Sequence, residues 1–139
     1  MARILVLEDE TEIRAIMREA LEADGHAVKE AVNGMHIEES VAAYRPDIVI
    51  TDLLMRGRDG FEAITALRKE FPALRILAVS GGGGALGVDD ALGTATKLGA
   101  DATLAKPFRI PTLIGAVAFL MGKPDGAQRR AAASAAPPH

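Results

Sequence analysis

The sequence predicts one α/β domain in which five strands alternate with five helices around a parallel sheet. Five short apolar runs recur along the chain, and each is followed by a segment whose apolar residues repeat with the helical period. Such alternation implies right-handed crossovers that place helices on both faces of the sheet. With 139 residues, the chain is long enough for one sizeable core but too short for two.

The predicted strands are short, rich in β-branched residues and bounded by turn signals. Runs that are apolar throughout are typical of strands buried on both faces of a sheet. In chain order, the predicted strands are 4–7, 27–31, 48–50, 76–79 and 102–105.

The predicted helices show apolar stripes that stop at glycine or proline. Gly25 follows the first stripe and is a typical left-handed terminator, whereas Pro46 and Pro72 follow the second and third stripes. The stripes consist of Ile13, Ile16, Met17, Ala20 and Leu21; Ile37, Val41 and Tyr44; Phe61, Ile64, Leu67 and Phe71; Leu92, Ala95 and Leu98; and Ile110, Leu113, Ile114, Val117 and Leu120.

The end of the chain has a different composition. Residues 122–139 are dominated by Ala, Pro, Gly and Arg, and contain no apolar residue larger than alanine. Because such a segment cannot form a core, we predict a folded domain over residues 1–121 and a disordered Ala/Pro-rich tail over 122–139.

Composition excludes several classes of protein. No apolar run approaches the roughly 20 residues of a membrane span, and no secretory signal precedes the first strand. The absence of cysteine excludes disulfides and thiolate metal sites. A net charge of -3 provides no general attraction to nucleic acid. We therefore expect a cytoplasmic protein with neither membrane nor nucleic-acid partners.

Polar residues mark the carboxyl ends of four of the predicted strands. Glu8 and Asp9 stand at the carboxyl end of the first strand, Asp52 at the end of the third, Ser80 at the end of the fourth and Lys106 at the end of the fifth. The carboxyl ends of parallel strands share one edge of the sheet, where open α/β sheets bind their ligands. If the first and third strands are neighbours, as in the order 2-1-3-4-5, all three carboxylates lie together.

Three neighbouring carboxylates repel one another unless a cation compensates them. Mg²⁺ prefers such oxygen ligands and completes its coordination shell with water and phosphate oxygens. With this ion and Lys106 present, a phosphoryl group can approach the site. Asp52 is then a candidate nucleophile toward phosphorus, while Ser80 and Lys106 can contact the phosphoryl oxygens.

The chain resembles the receiver domain of response regulators, the phosphorylatable partners of histidine kinases, and in particular the chemotaxis-regulator type. The resemblance spans residues 3–121 and implies a flavodoxin-like (βα)5 fold and a stand-alone receiver. It rests on ILVLEDE at 4–10, DIVITDL at 47–53, Met55, Asp59-Gly60, Ser80 and Lys106-Pro107-Phe108.

This resemblance implies roles for the acidic residues. Asp52 is the expected phosphoacceptor. Asp9 and Asp52 are expected to ligate Mg²⁺ directly, Glu8 through water, and Leu54 through its backbone carbonyl.

The resemblance also implies that Ser80 and Lys106 contact the phosphoryl group and that the peptide bond before Pro107 is cis. Thr103 stands where receivers usually carry an aromatic residue, so the usual aromatic output switch is not expected. The glycines 81–84 are unusual for the family. We expect this loop to be mobile without phosphate and to become ordered, or to be captured by a partner, after phosphorylation.

The leading hypothesis is a receiver that accepts a phosphoryl group on Asp52 from a histidine kinase or histidine phosphotransfer protein. It would then signal by phosphorelay or by binding an unidentified downstream protein, with at most slow self-dephosphorylation. One alternative is a degenerate receiver that acts as a phosphorylation-independent interaction module. Another is a Mg²⁺-dependent phosphohydrolase with an aspartyl intermediate, although Leu54 stands where such enzymes carry an acid. A flavin-binding domain is disfavoured because the acidic first loop would repel a phosphate.

Overall fold

A computed structural model describes residues 1–32, 34–53, 60–81 and 88–122. Within these ranges, five strands alternate with five helices, as predicted. The strands are β1 (Arg3–Leu7), β2 (Ala27–Ala31), β3 (Ile48–Asp52), β4 (Arg75–Ser80) and β5 (Ala102–Ala105). The helices are α1 (Thr11–Ala23), α2 (Ile37–Tyr44), α3 (Gly60–Glu70), α4 (Val88–Leu98) and α5 (Ile110–Met121).

The strands form one parallel sheet in the order β2-β1-β3-β4-β5, which confirms the predicted order. In the register, Leu7 at the end of β1 is paired with Thr51, and Asp52 at the end of β3 is paired with Val79. The carboxyl ends of the central strands therefore meet at one edge, which we call the carboxyl edge.

Two polar residues of the predicted site are themselves members of strands. Both Asp52 and Ser80 are the last residues of their strands. The strands extend past their apolar runs because pairing to the neighbouring strand continues there: Asp52 pairs with Val79 and Ser80 with Ala105.

The core consists of two apolar clusters, one on each face of the sheet. In β1, Leu5 and Leu7 belong to the cluster beneath α2, α3 and α4, whereas Ile4 and Val6 belong to the cluster beneath α1 and α5. All four side chains are fully buried. This alternation confirms a sheet covered on both faces, and each such side chain contributes about 1.5–3 kcal/mol of burial free energy.

An ion pair closes the opposite edge of the sheet, at the amino ends of β4 and β5. Arg68 Nη2 donates to Asp101 Oδ2 at 2.7 Å, and the same oxygen accepts the Ile76 amide at 2.8 Å. The remaining hydrogen bonds of this guanidinium go to the carbonyl oxygens of Gly99, Pro72 and Leu74. We call this edge the amino edge.

The end of α2 is also tied to the amino edge. The Arg3 guanidinium lies 4.2 Å from the centroid of the Tyr44 ring and donates to the Tyr44 carbonyl at 2.6 Å. The backbone amide of Arg3 donates to Asp47 Oδ2 at 2.8 Å. These contacts fix the turn between α2 and β3 against the start of β1.

The first helix ends as predicted, since Gly25 has a φ of +93° in the left-handed region. Several predicted features lie outside the described residues, namely Leu54, Met55, Asp59, Gly82 to Gly84 and the tail from residue 123 onward. Among the helices that the structure describes, none combines the length and hydrophobicity that crossing a membrane requires.

Candidate functional site

Three carboxylates and one ammonium group converge at the carboxyl edge. Glu8 and Asp9 follow β1, Asp52 ends the adjacent β3, and each offers a carboxylate oxygen within 4.8 Å of the others. The Lys106 ammonium, just after β5, donates to Glu8 Oε1 at 2.6 Å and to Asp52 Oδ2 at 3.0 Å. We call these four side chains the acidic cluster.

The acidic cluster is largely withdrawn from water. Glu8 is 1% exposed and Asp52 is 5% exposed, whereas Asp9 is half-buried. Burying a charge is costly unless it is paired and hydrogen-bonded. Lys106 balances only one of the three carboxylates, so the fully ionised cluster carries an excess of two negative charges.

This charge excess and the burial change the acidity of two groups. Burial raises the pKa of Glu8 from 4.5 to about 7; the Lys106 hydrogen bond opposes this rise and the Asp52 charge adds to it. For Lys106, burial lowers the pKa, but the hydrogen bonds to Glu8 and Asp52 outweigh burial and raise the pKa above 10.5. Lys106 is therefore an ammonium ion at neutral pH.

Ser80 lies at the same edge, one strand beyond Asp52. Its side chain is fully buried at the end of β4, and its carbonyl oxygen accepts the Lys106 amide at 2.8 Å. The register of β4 and β5 therefore brings the backbone of Lys106 next to the backbone of Ser80. A side chain at Gly81 would begin 3.5 Å from Lys106 Cδ, so this part of the loop after β4 also lies close to the lysine.

The residues around Lys106 include two further predicted positions. The peptide bond between Lys106 and Pro107 is cis. Thr103 pairs with Ala78 in the β4–β5 ladder and is half-buried.

Gly60 supports the acidic cluster from the start of α3, a role that the sequence analysis did not assign to it. A Cβ at this position would overlap the carbonyl oxygen of Asp52 and would lie 2.6 Å from the Leu53 Cα. The Gly60 amide also donates to the Leu53 carbonyl at 3.1 Å. Glycine thus lets α3 start directly against the backbone that carries Asp52.

Arg14 is the second residue that the sequence analysis missed. Its Nη1 donates to the backbone carbonyl of Glu8 at 2.8 Å. Arg14 lies on α1 among residues that show only the ordinary amphipathic pattern of that helix. Nothing in the periodicity marks it as part of the site, and only its place one turn into the helix after Glu8 and Asp9 could have drawn attention to it.

The fold and the acidic cluster together define a class of protein. A doubly wound parallel sheet binds ligands where its strand order reverses, which here is between β1 and β3. At that point this chain presents buried carboxylates and one lysine. It is therefore a flavodoxin-like α/β protein with an acidic cluster at the switch point.

The particular family follows from comparison with known proteins. The family model of the response regulator receiver domain matches residues 4–118, so the chain belongs to this family of two-component signalling domains. The predicted family is thereby confirmed. In this family, the acidic cluster fits the phosphoacceptor site, and receiver domains are generally signalling phosphoacceptors rather than enzymes.

Three similar proteins illustrate the relationship. Chemotaxis protein CheY of Halobacterium salinarum is 32% identical over 122 residues, which cover 87% of this chain and 98% of the relative. Sporulation initiation phosphotransferase F of Bacillus subtilis is 30% identical over 115 residues, which cover 83% of this chain and 90% of the relative. The structure of a response regulator receiver domain protein from Clostridium thermocellum superposes with a TM-score of 0.79 at 28% identity. The superposition covers 87% of this chain and 94% of that protein.

Proposed function

We propose that this chain accepts a phosphoryl group on Asp52 from the phosphohistidine of a histidine kinase or histidine phosphotransfer protein, in a reaction that depends on Mg²⁺. The observation that carries the proposal is the convergence of Glu8, Asp9 and Asp52 with Lys106 at the switch point of the sheet. A buried cluster with excess negative charge is a poor structural element but a good receptor for a cation and a phosphoryl group.

The donor set fits Mg²⁺. All three side chains offer hard carboxylate oxygens that lie close enough to share one ion, and the single ammonium group leaves charge for the ion to neutralise. Glu8, Asp9 and Asp52 would hold the ion, with the backbone carbonyl of Leu54 as a further proposed ligand. When bound, Mg²⁺ neutralises and orients the phosphoryl oxygens.

Asp52 acts as the nucleophile in this proposal. One of its carboxylate oxygens forms a bond to phosphorus while the bond from phosphorus to the donor histidine nitrogen breaks. The donor imidazole leaves with the electron pair of that bond and takes up a proton. Because Asp52 ends β3 and its backbone packs against Gly60, its carboxylate is held in place before the donor arrives.

Lys106 and Ser80 complete the proposed site. The Lys106 ammonium already donates a hydrogen bond to Asp52 and remains charged at neutral pH. It can therefore form an ion pair with the phosphoryl oxygens once the phosphoryl group is on Asp52. The Ser80 hydroxyl, at the end of the neighbouring strand, would donate a hydrogen bond to the transferred group.

The proposed output is phosphorelay or phosphorylation-dependent binding of a downstream protein. The name of the Bacillus subtilis relative describes a phosphotransferase, and that of the Halobacterium salinarum relative describes a chemotaxis protein. The complete acidic cluster favours this function over a phosphorylation-independent interaction module. We propose no activity beyond slow loss of the phosphoryl group.

Labelling with a small phosphodonor tests the assignment. Protein is incubated with acetyl phosphate and Mg²⁺ and then analysed by intact mass spectrometry. We expect one phosphoryl adduct on the wild-type chain and on Asp24→Asn, a control in which an aspartate on the surface is changed. Asp52→Asn should carry no adduct because an amide is not a nucleophile here. An adduct that persists on Asp52→Asn would show that the phosphoacceptor is another residue.

A further inference from the structure

We infer that Arg14 is a positioning residue of the acidic cluster, which fixes the peptide joining Glu8 to Asp9 so that both carboxylates face the cation. This inference rests on the proposed Mg²⁺-dependent function. It concerns a side chain that would touch neither the ion nor the phosphoryl group.

Arg14 is held from two sides. Its Nη1 donates to the Glu8 carbonyl at 2.8 Å, and its Nε lies 3.6 Å from Glu30 Oε1 on β2. The Arg14 side chain is only 14% exposed. A planar guanidinium with two anchored edges has little rotational freedom, so it can hold the carbonyl that it contacts in one direction.

The peptide between Glu8 and Asp9 needs such support because it lies just beyond the strand. The β1–β3 ladder ends at Leu7, while the Glu8 amide donates to the Ala31 carbonyl of β2 at 3.2 Å. The Glu8 amide is therefore held by the edge strand, and the Glu8 carbonyl by Arg14. Rotation of this peptide would turn the Asp9 side chain relative to that of Glu8, and partners behind metal ligands typically change metal affinity by about 10- to 100-fold.

Arg18 offers a matched control. It lies one turn further along α1 and donates to the same Glu30 at 3.1 Å, but its Nε donates to Glu22 and not to a backbone carbonyl. Arg14→Met and Arg18→Met thus each remove one positive charge from α1 and one partner from Glu30. Of these two changes, only Arg14→Met removes the hydrogen bond to the Glu8 carbonyl.

The direction in which the Kd for Mg²⁺ changes distinguishes a positioning role of Arg14 from a purely electrostatic one. Loss of a nearby positive charge by itself makes a cation site more attractive and lowers the Kd for Mg²⁺. Loss of positioning raises the Kd. We expect Arg14→Met to raise the Kd by about tenfold or more, and Arg18→Met to leave it within about twofold of the wild-type value.

The experiment is calorimetric titration of the metal-free chains with MgCl₂ at one pH, together with amide hydrogen exchange at Asp9 and Glu10. Wild-type protein that fails to bind Mg²⁺ would overturn the proposed function and this inference with it. Wild-type protein that binds, with Arg14→Met binding equally or more tightly, would overturn this inference alone. Support requires weaker binding together with faster exchange at those two amides in Arg14→Met but not in Arg18→Met.

A conservative variant keeps the test decisive if Arg14→Met does not fold. Arg14→Lys retains the charge but lacks the planar fork that reaches the Glu8 carbonyl and Glu30 together. We expect it to raise the Kd for Mg²⁺ by about threefold or more, in the direction that loss of positioning predicts. A Kd equal to that of the wild-type chain would contradict the role assigned to Arg14.

Discussion

The two edges of the sheet each contain a half-buried cation, but the partners of these cations differ. Arg68 at the amino edge and Lys106 at the carboxyl edge have similar side-chain exposures of 15% and 13%. Arg68 meets one carboxylate, Asp101, and otherwise carbonyl oxygens, so the charges of this pair balance. Lys106 meets two carboxylates, with Asp9 close by, so the carboxyl edge does not balance.

This difference distinguishes a structural ion pair from a binding site. At the amino edge, Asp101 Oδ2 is satisfied by Arg68 and by the Ile76 amide, and no further charge is required. At the carboxyl edge, the protein retains repulsion that a bound cation can relieve. The unrelieved repulsion lowers stability at the carboxyl edge, as the proposed binding site requires, whereas the Arg68–Asp101 pair stabilises the fold.

Breaking the balanced pair should have the largest effect on stability. Arg68→Met leaves Asp101 buried without its guanidinium and removes the donor from three carbonyls, so we expect the free energy of unfolding to fall by about 3–5 kcal/mol. Urea denaturation measures this loss. The control is Lys69→Met, an exposed neighbour on α3. If both variants lose the same small amount, the amino edge does not have the structural role described above.

The unbalanced edge should instead make stability depend on pH in the absence of metal. The pKa of Glu8 is raised from 4.5 to about 7 on folding, so its contribution to stability is complete below about pH 4.5 and is lost as pH rises through about 7. At 1.36 kcal/mol per unit of pKa, the loss amounts to roughly 3 kcal/mol.

Comparison of the wild-type chain with Glu8→Gln isolates this contribution from other titrating groups. Urea unfolding is measured in chelator at about pH 5 and about pH 8. We expect the stability of the wild-type chain to fall more between these values than that of the variant. Equal pH dependence in the two chains would mean that Glu8 titrates as an ordinary carboxyl, and the burial argument for the acidic cluster would then be wrong.

Removal of one carboxylate from the unbalanced edge should increase stability by a smaller amount. In the metal-free chain, Asp52→Asn relieves repulsion with Glu8 while it retains a polar partner for Lys106, so we expect a gain of about 1–2 kcal/mol at about pH 8. Urea midpoints without metal measure the gain. Asp101→Asn is the matched change at the balanced edge and should be destabilising. A loss of stability in Asp52→Asn would contradict the proposed charge excess.

The sequence could predict the fold because strand and helix patterns are local. Apolar runs predict the strands, and the continuous burial of β1 on both faces agrees with its uninterrupted apolar run. The apolar run of β3 stops two residues before the strand ends, because Asp52 remains in the strand through pairing with Val79, which composition does not encode. The convergence of Glu8, Asp52 and Lys106 was predictable because parallel strands share one edge.

Other parts of the site depend on three-dimensional packing. Gly60 matters because α3 starts against the Asp52 backbone, and Arg14 because its side chain reaches back to a carbonyl six residues earlier. The sequence predicts that Lys106 contacts the phosphoryl group. In the structure Lys106 also donates to Glu8, and this hydrogen bond is shorter than the one to Asp52. None of these three facts follows from the spacing of residue types.

The stacking of Arg3 on Tyr44 gives the chain an internal optical reporter. Tyr44 is the only tyrosine and there is no tryptophan, so ultraviolet emission of the native protein comes mainly from one ring beside the start of β1. The acidic cluster lies at the other end of the same strand. A change in this emission when metal or phosphate is added would therefore register a disturbance carried along the length of the sheet, without an attached dye.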